Sequence, residues 1–279
     1  MKVIHTKSVA LAVKKLCLEA GINIDQPVLE ALKEARQKED GEKARFALDI
    51  MIKNAHIAKD QAIPLCQDTG MTIVFVEMGQ DVHIEGGLLE DAINQGIREA
   101  FCQGRFRKSV REPISGQNTK DNTPAVVHYQ ITEGDKLKLH VMLKGFGSEN
   151  MSRLFMLTPA QGLEGIKEAV ITAAKEAGGN PCPPIVLGVG IGGTMEKAAI
   201  LSKKALLRDF NSPNKDSFLN RLEKELEDSI NALNIGPQGF GGKTSVLKVF
   251  IETFPTHIAG LPVAVTVQCH AVRHGSVIL

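Results

Sequence analysis

Apolar residues recur every three to four positions through the first sixty residues. They run Val9, Val13, Leu16 and Leu18, then Val28, Leu32 and Ala35, then Ala47, Leu48, Met51 and Ile52. This spacing lines one helix face and predicts three helices in succession. Asp25, ahead of Gln26-Pro27, is read as the N-cap of the second, with proline in its first turn. After Gly70 the period falls to two in Met71–Val76, which predicts a strand, and a helix is expected at about Leu88–Gln103. Ala125–Ile131 and Lys136–Leu143 flank the polar turn Thr132-Glu133-Gly134-Asp135 and predict a β-hairpin. On it, His128 and His140 are read as surface or cross-strand residues. Helices are then expected at about Ala160–Ala177, Met195–Leu207 and Ser217–Leu233, and strands at Ile185–Val189, Val246–Phe250 and Val263–Val267.

Early helices followed by strands mixed among helices predict an α+β class rather than a regular βαβ wind. The expected architecture is N-terminal helices, then a mixed or antiparallel sheet packed with helices. No linker, repeat or low-complexity tract interrupts residues 1–279, so a single domain is expected.

Composition narrows the function classes. The chain has 279 residues, 43% of them hydrophobic, which is enough to bury about three quarters of its surface. Lys and Arg number 33 against 32 Asp and Glu, so no charge excess points to nucleic acid or an anionic membrane. Trp is absent and Tyr129 is the one tyrosine, which leaves no platform for stacking bases. No apolar run reaches the roughly 18 residues of a membrane span. Met1–Thr6 lead into a mixed helical pattern rather than a signal peptide, so the cytoplasm is the expected compartment.

The five cysteines are an odd number, which argues against a disulfide framework. Cys17 and Cys102 lie in helical patterns and are read as small buried hydrophobes. Cys66, Cys182 and Cys269 instead stand at turns or element ends, where a thiol can face a cleft. A zinc ribbon needs cysteine pairs a few residues apart, and these three are far apart along the chain. Spacing leaves two readings open, unrelated thiols or one shared metal site.

Glycine-rich segments supply further candidates. Gly188-Val189-Gly190-Ile191-Gly192-Gly193 fits a dinucleotide fingerprint between a strand and a helix, although no strand ends in an acidic residue about twenty positions on. An NAD-binding oxidoreductase is therefore carried as a rival reading. Gly239–Ser245 fails the phosphate-loop spacing, and either holds a substrate anion or shapes a turn. Lys144–Arg153, dense in charge and hydrogen-bonding groups after a strand, suits function and structure equally. Arg107–Pro124 alone reads as a solvated polar loop.

Taken together these segments resemble one family. Pro64-Leu65-Cys66-Gln67-Asp68-Thr69-Gly70, Asn118–Ala125, Lys144–Asn150, Asn180-Pro181-Cys182-Pro183-Pro184, Gly188–Thr194, and His257–Val263 with Cys269 are similar, in order and approximate spacing, to class I, iron–sulfur-dependent fumarate hydratase. Phe146 stands where many relatives have glycine. The resemblance implies that Cys66, Cys182 and Cys269 ligate a [4Fe–4S] cluster whose fourth iron acts as a Lewis acid. It implies reversible hydration of fumarate to (S)-malate, as in the tricarboxylic acid cycle. Asp68 is implied in acid–base or water-positioning work, Gln67, Arg107, Gly145 and His257 in substrate contact, and Lys120 and Asp121 in support. Long members of the family continue into a second domain, whereas this chain stops ten residues after Cys269. The expectation is thus an α subunit whose site a β subunit completes, in an α2β2-type hetero-oligomer. The α subunit of L-tartrate dehydratase fits the same pattern.

Overall fold

The first apolar stripe forms α1 (Thr6–Ile22), with Val9, Val13, Leu16 and Cys17 buried. His5 caps it, its Nδ1 accepting from the Lys7 amide at 3.1 Å. The expected second and third helices are α2 (Gln26–Lys38) and α3 (Glu42–Gln61), and Asp25 takes the N-cap position of α2. A computed structural model describes Lys2–Leu279 and divides the chain between two units, each drawn from separate stretches of sequence.

One unit takes the N-terminal stretch as far as Ile24, Asn54–Phe146 and Arg273–Leu279. In chain order its elements are β1 (Lys2–His5), β2 (Met71–Gly79), β3 (Val82–Glu85), α4 (Leu89–Gln103), β4 (Val126–Thr132), β5 (Leu137–Lys144) and β10 (His274–Ile278). The four-stranded sheet has the order β10-β5-β2-β4, and β1 and β3 form a separate parallel pair. Val74, Val76, Leu139 and Val141 of the sheet share a core with Val13 and Cys17 of α1 and with Ile93, Ile97 and Phe101 of α4. The helices meet at Gly96, where a Cβ would stand 2.4 Å from the Ala10 carbonyl oxygen.

The expected hairpin does not form. Both strands exist, but β2 lies between them, parallel to β4 and antiparallel to β5. The polar turn instead crosses the end of β2, where the amides of Gly79 and Asp81 donate to the Lys136 and Gly134 carbonyls at 2.8 and 3.0 Å. A side chain at Gly79 would lie 2.2 Å from the Gly134 oxygen, so glycine is what lets the turn cross. His140 and His128 are cross-strand residues as expected. His140 Nδ1 lies 2.6 Å from Ser276 Oγ, and the His128 ring lies against Phe75. Cys17 is fully buried, which pushes its thiol up to about 12. Cys102 departs from expectation and is exposed. It falls off the stripe formed by Ile93, Ile97, Ala100 and Phe101, which points α4 into the core.

The other unit takes Asp25–Lys53 and Gly147–Val272. It contains the one-turn helix α5 (Phe146–Glu149) apart from its first residue, followed by β6 (Arg153–Leu157), α6 (Gly162–Ala177), β7 (Ile185–Gly192), α7 (Met195–Ala205), α8 (Ser217–Asn231), β8 (Val246–Phe254) and β9 (Leu261–Gln268). Its sheet has the order β6-β9-β7-β8. Side chains alternate between the two faces of a strand. One face carries Leu187, Val189, Val249, Ile251, Val265 and Val267, packed against Ile166, Val170 and Ala173 of α6 and Leu222, Leu226 and Ile230 of α8.

The opposite face of β7 carries Gly188 and Gly190, so the glycine pattern lies inside a strand rather than in a phosphate-binding turn. A Cβ at these positions would stand 2.0 Å from the Ser202 oxygen and 2.1 Å from the Ala198 oxygen of α7. These two glycines thus serve close helix–sheet packing. The contact is sealed by Ser202 Oγ, 2.6 Å from Thr266 Oγ1.

Candidate active site

In the first unit several of the singled-out segments converge on Asp68. Cys66-Gln67-Asp68-Thr69-Gly70 leads into β2, so its backbone is fixed at one end by the sheet. Asp68 is half-buried, and both carboxylate oxygens accept backbone N–H groups. Gly70 donates to Oδ1 at 3.0 Å and Phe146 to Oδ2 at 2.7 Å. Gly70 has φ +83, and a Cβ there would come within 2.8–2.9 Å of the Lys144 backbone, so the 68–70 turn and the end of β5 pass each other with no room for a side chain. Gly145 lies directly beside the carboxylate; its Cβ would meet Asp68 Oδ2 at 3.2 Å and Arg273 Nη2 at 3.0 Å. Cys66 is half-buried next to exposed Gln67, and its Sγ lies 3.5 Å from Gln67 Oε1.

The long polar loop is tied to this turn. Thr69 Oγ1 donates to the Arg107 carbonyl at 2.6 Å. Fully buried Asn122 accepts from the amides of Ser109 and Val110 at 2.8 and 3.3 Å and donates to the Gly70 carbonyl at 3.1 Å. The Asn118 side chain links the Lys108 carbonyl and the Lys120 amide. Arg107 and Lys120 thus present exposed cationic side chains from a loop whose backbone is anchored, not loose. Asp121 serves that anchoring. Burial raises its pKa, but hydrogen bonds from Thr123 and Thr119 and the charge of Arg98 outweigh it and hold the carboxyl low.

In the second unit Cys182 and Cys269 mark the same end of the sheet. Cys182 is exposed, with φ +57, just before β7, and half-buried Cys269 directly follows β9. His270 Nδ1 lies 2.9 Å from the Cys182 carbonyl and joins the two segments. His257 stands at the other end. It is exposed in the β8–β9 turn, with Nδ1 accepting from the Ala259 amide at 3.2 Å, and the turn is moored by Thr256 Oγ1 to the Gly193 carbonyl at 2.9 Å. Eight residues of β9 separate His257 from Cys269, about 25 Å at the usual strand rise. A four-carbon dicarboxylate is far shorter than that. One copy of the chain does not bring His257 together with Cys182 and Cys269.

The donor set suits thiolate chemistry in its placement. Cys66, Cys182 and Cys269 all sit at element ends outside the apolar cores, unlike Cys17. Among the described residues, no group of three or more His, Cys, Asp and Glu side chains is placed to hold a metal ion. A single ion needs its ligands within about 2.3 Å of one point, whereas the thiolates of a cluster each bind a different iron.

The Gly239–Ser245 loop has a resident anion. Its amides at Lys243 and Thr244 donate at 2.9 and 2.7 Å to the carboxylate of Glu39, which is fully buried, and Lys243 Nζ turns outward to Asp40. The loop shapes a turn around a side chain of its own unit. Replacing Glu39 with alanine would strand two amides and is expected to lower stability by about 2–4 kcal/mol. Urea denaturation checks this, and a loss below about 1 kcal/mol would contradict it.

Sequence reasoning assigned no role to Thr69, Asn122, Glu39 or Arg273. Glu39 and Arg273 belong to no motif, while Asn122 was visible only as one polar residue among many. No helix among the described residues is long and apolar enough to cross a membrane.

Comparison with known proteins adds an independent line. The sequence pattern of the fumarate hydratase (Fumerase) family matches residues 10–278. A protein of Methanocaldococcus jannaschii, provisionally named L(+)-tartrate dehydratase subunit alpha, is 40% identical over 94% of each chain. Proteins named L(+)-tartrate dehydratase subunit alpha from Escherichia coli K12 and Shigella boydii are each 33% identical, over 90% of this chain and 84% of theirs.

Proposed function

Since this chain belongs to the fumarate hydratase (Fumerase) family, we propose that it is the α subunit of a [4Fe–4S]-dependent hydro-lyase that interconverts fumarate and (S)-malate. The single observation that carries the reading in the molecule is the clamp on Asp68 beside Cys66. Both carboxylate oxygens are aimed by backbone amides, and a cationic loop is pinned to the same turn. Cys66, Cys182 and Cys269 would hold the cluster. When bound, it supplies Lewis acidity at an iron that the protein leaves open.

The remaining work falls to side chains. Each Asp68 oxygen spends one lone pair on an amide and keeps another, so either can take or return the substrate proton. Arg107 pairs with a substrate carboxylate, and Gln67 offers an amide donor. Gly145, lacking a Cβ, lets the backbone pass close beside Asp68 Oδ2. Substrate contact by His257 requires a second copy of the chain, in line with an α2β2-type assembly. The relatives are named as alpha subunits, so a β subunit completes the site, and the isolated chain is expected to turn over little substrate.

A second reading, L-tartrate dehydration, is favoured by the names of those relatives. The two differ by one substrate hydroxyl. The test is the anaerobically assembled αβ complex assayed on (S)-malate and on L-tartrate. A higher kcat/KM on malate is expected. Preference for tartrate selects the second reading, and turnover of neither overturns both.

A further inference from the structure

We propose that Arg273 is a positioning residue for Asp68, holding the carboxylate in its working orientation without touching substrate. The role rests on the reading of Asp68 as the acid–base group. Arg273 is the largest fully buried side chain among the described residues. Its guanidinium is turned to the turn that carries Asp68: Nη1 donates to the Asp68 carbonyl at 2.6 Å, across 205 residues of sequence. Nη2 and Asp68 Oδ2 both border Gly145, at 3.0 and 3.2 Å from where its Cβ would stand. The arginine therefore fixes the backbone of the turn from which the Asp68 carboxylate projects, while the amides of Gly70 and Phe146 grip the carboxylate itself.

The backbone explains why it can do so. The Arg273 carbonyl accepts from the Leu143 amide at 2.9 Å, and His274 begins β10, paired with Met142 of β5. The arginine is thereby fixed over the end of β5, where Lys144 and Gly145 approach Asp68. Joining a strand end to a turn does not call for a guanidinium. A buried cation with unmet hydrogen-bonding capacity is a poor structural choice, and Arg273 Nε is buried with no partner. Such a group is retained where its planar, permanently charged fork sets a geometry that other side chains cannot.

Two measurements test the role. In the assembled, cluster-loaded complex, Arg273→Gln should lower kcat about a hundredfold, the scale of a misplacement of about 1 Å, and leave KM within about threefold. Arg273→Lys, which keeps the charge, should recover about tenfold of that loss. In the chain without cluster or substrate, hydrogen exchange at the Gly70 and Phe146 amides should quicken about tenfold in Arg273→Gln, with the amides of α1 little changed. Wild-type kcat in Arg273→Gln would overturn the proposal. So would lost activity with Gly70 and Phe146 exchanging no faster than α1. The exchange measurement needs no catalysis. Selective quickening in a chain whose wild-type complex proves inactive supports the hold of Arg273 on the Asp68 turn and discards the hydro-lyase reading on which its catalytic consequence rests. Unchanged exchange in an active enzyme does the reverse.

Discussion

Changing Cys66, Cys182 or Cys269 to serine, one at a time, is expected to give a chain that folds but retains no cluster, with hydro-lyase activity lost completely. A serine hydroxyl stays protonated near neutral pH and is a hard donor, whereas iron in a cluster is held by thiolate sulfur. With three protein ligands, no spare thiol replaces the missing one. The fold should tolerate each change, because none of the three contributes to either apolar core. Replacing exposed Cys182 should move stability by about 0.5 kcal/mol or less, and replacing half-buried Cys66 or Cys269 by about 1 kcal/mol. The controls follow from burial. Exposed Cys102→Ser should be silent in both respects. Cys17 needs alanine as its control, since a serine hydroxyl in that dry core would cost about 1–3 kcal/mol. Iron content and thermal unfolding of each variant check the set. Retention of a full cluster by any one of the three variants would remove that residue from the ligand set.

Asp68→Asn is expected to lower kcat by about 10²–10⁴-fold, the usual contribution of a positioned acid–base group, with a much smaller effect on KM. Asparagine has nearly the same shape but brings one oxygen to a site where two amides donate. Its NH2 would face either the Gly70 or the Phe146 N–H, at a stability cost of about 1–3 kcal/mol. The two consequences separate the roles. If Asp68 only joins the 68–70 turn to residue 146, stability falls while kcat in the folded fraction stays at the wild-type level. Steady-state kinetics beside urea denaturation of the same preparation distinguishes these outcomes.

The helices were legible because each buries a face of 3.6-residue period, as in Val9, Val13 and Leu16, and local spacing suffices to show it. β2, β7 and β9 were legible as β-branched runs. What one-dimensional patterning could not supply was pairing. β4 and β5 are neighbours in sequence and alternate suitably, yet β2 separates them, because the order of strands is decided by which apolar faces meet in three dimensions. β6 escaped notice because Leu154 and Met156 point outward where polar residues would mark a half-buried strand.

The glycine pattern of residues 188–193 shows a second kind of ambiguity. A missing Cβ admits either a phosphate or a helix, and the choice depends on whether the strand ends or continues. β7 continues, and α7 occupies the space. At the candidate site, the turn containing Cys66 and Asp68 was readable from its motif. The pair of amides that grips Asp68 was not, since Phe146 contributes a backbone N–H from far along the chain, which no side-chain pattern reveals. Exposed Cys102 was misjudged because a helical pattern gives the period of a buried face but leaves the phase of a single residue off that face easy to mistake.

The most direct measurement is thiol mapping by mass spectrometry after anaerobic reconstitution of the assembled complex with iron and sulfide. Alkylation should modify Cys102 with or without reconstitution and spare Cys17 in both states, whereas Cys66, Cys182 and Cys269 should become unreactive together once iron is bound. A preparation that takes up no iron, or one in which any of those three still alkylates as fast as in the cluster-free protein, would contradict the account.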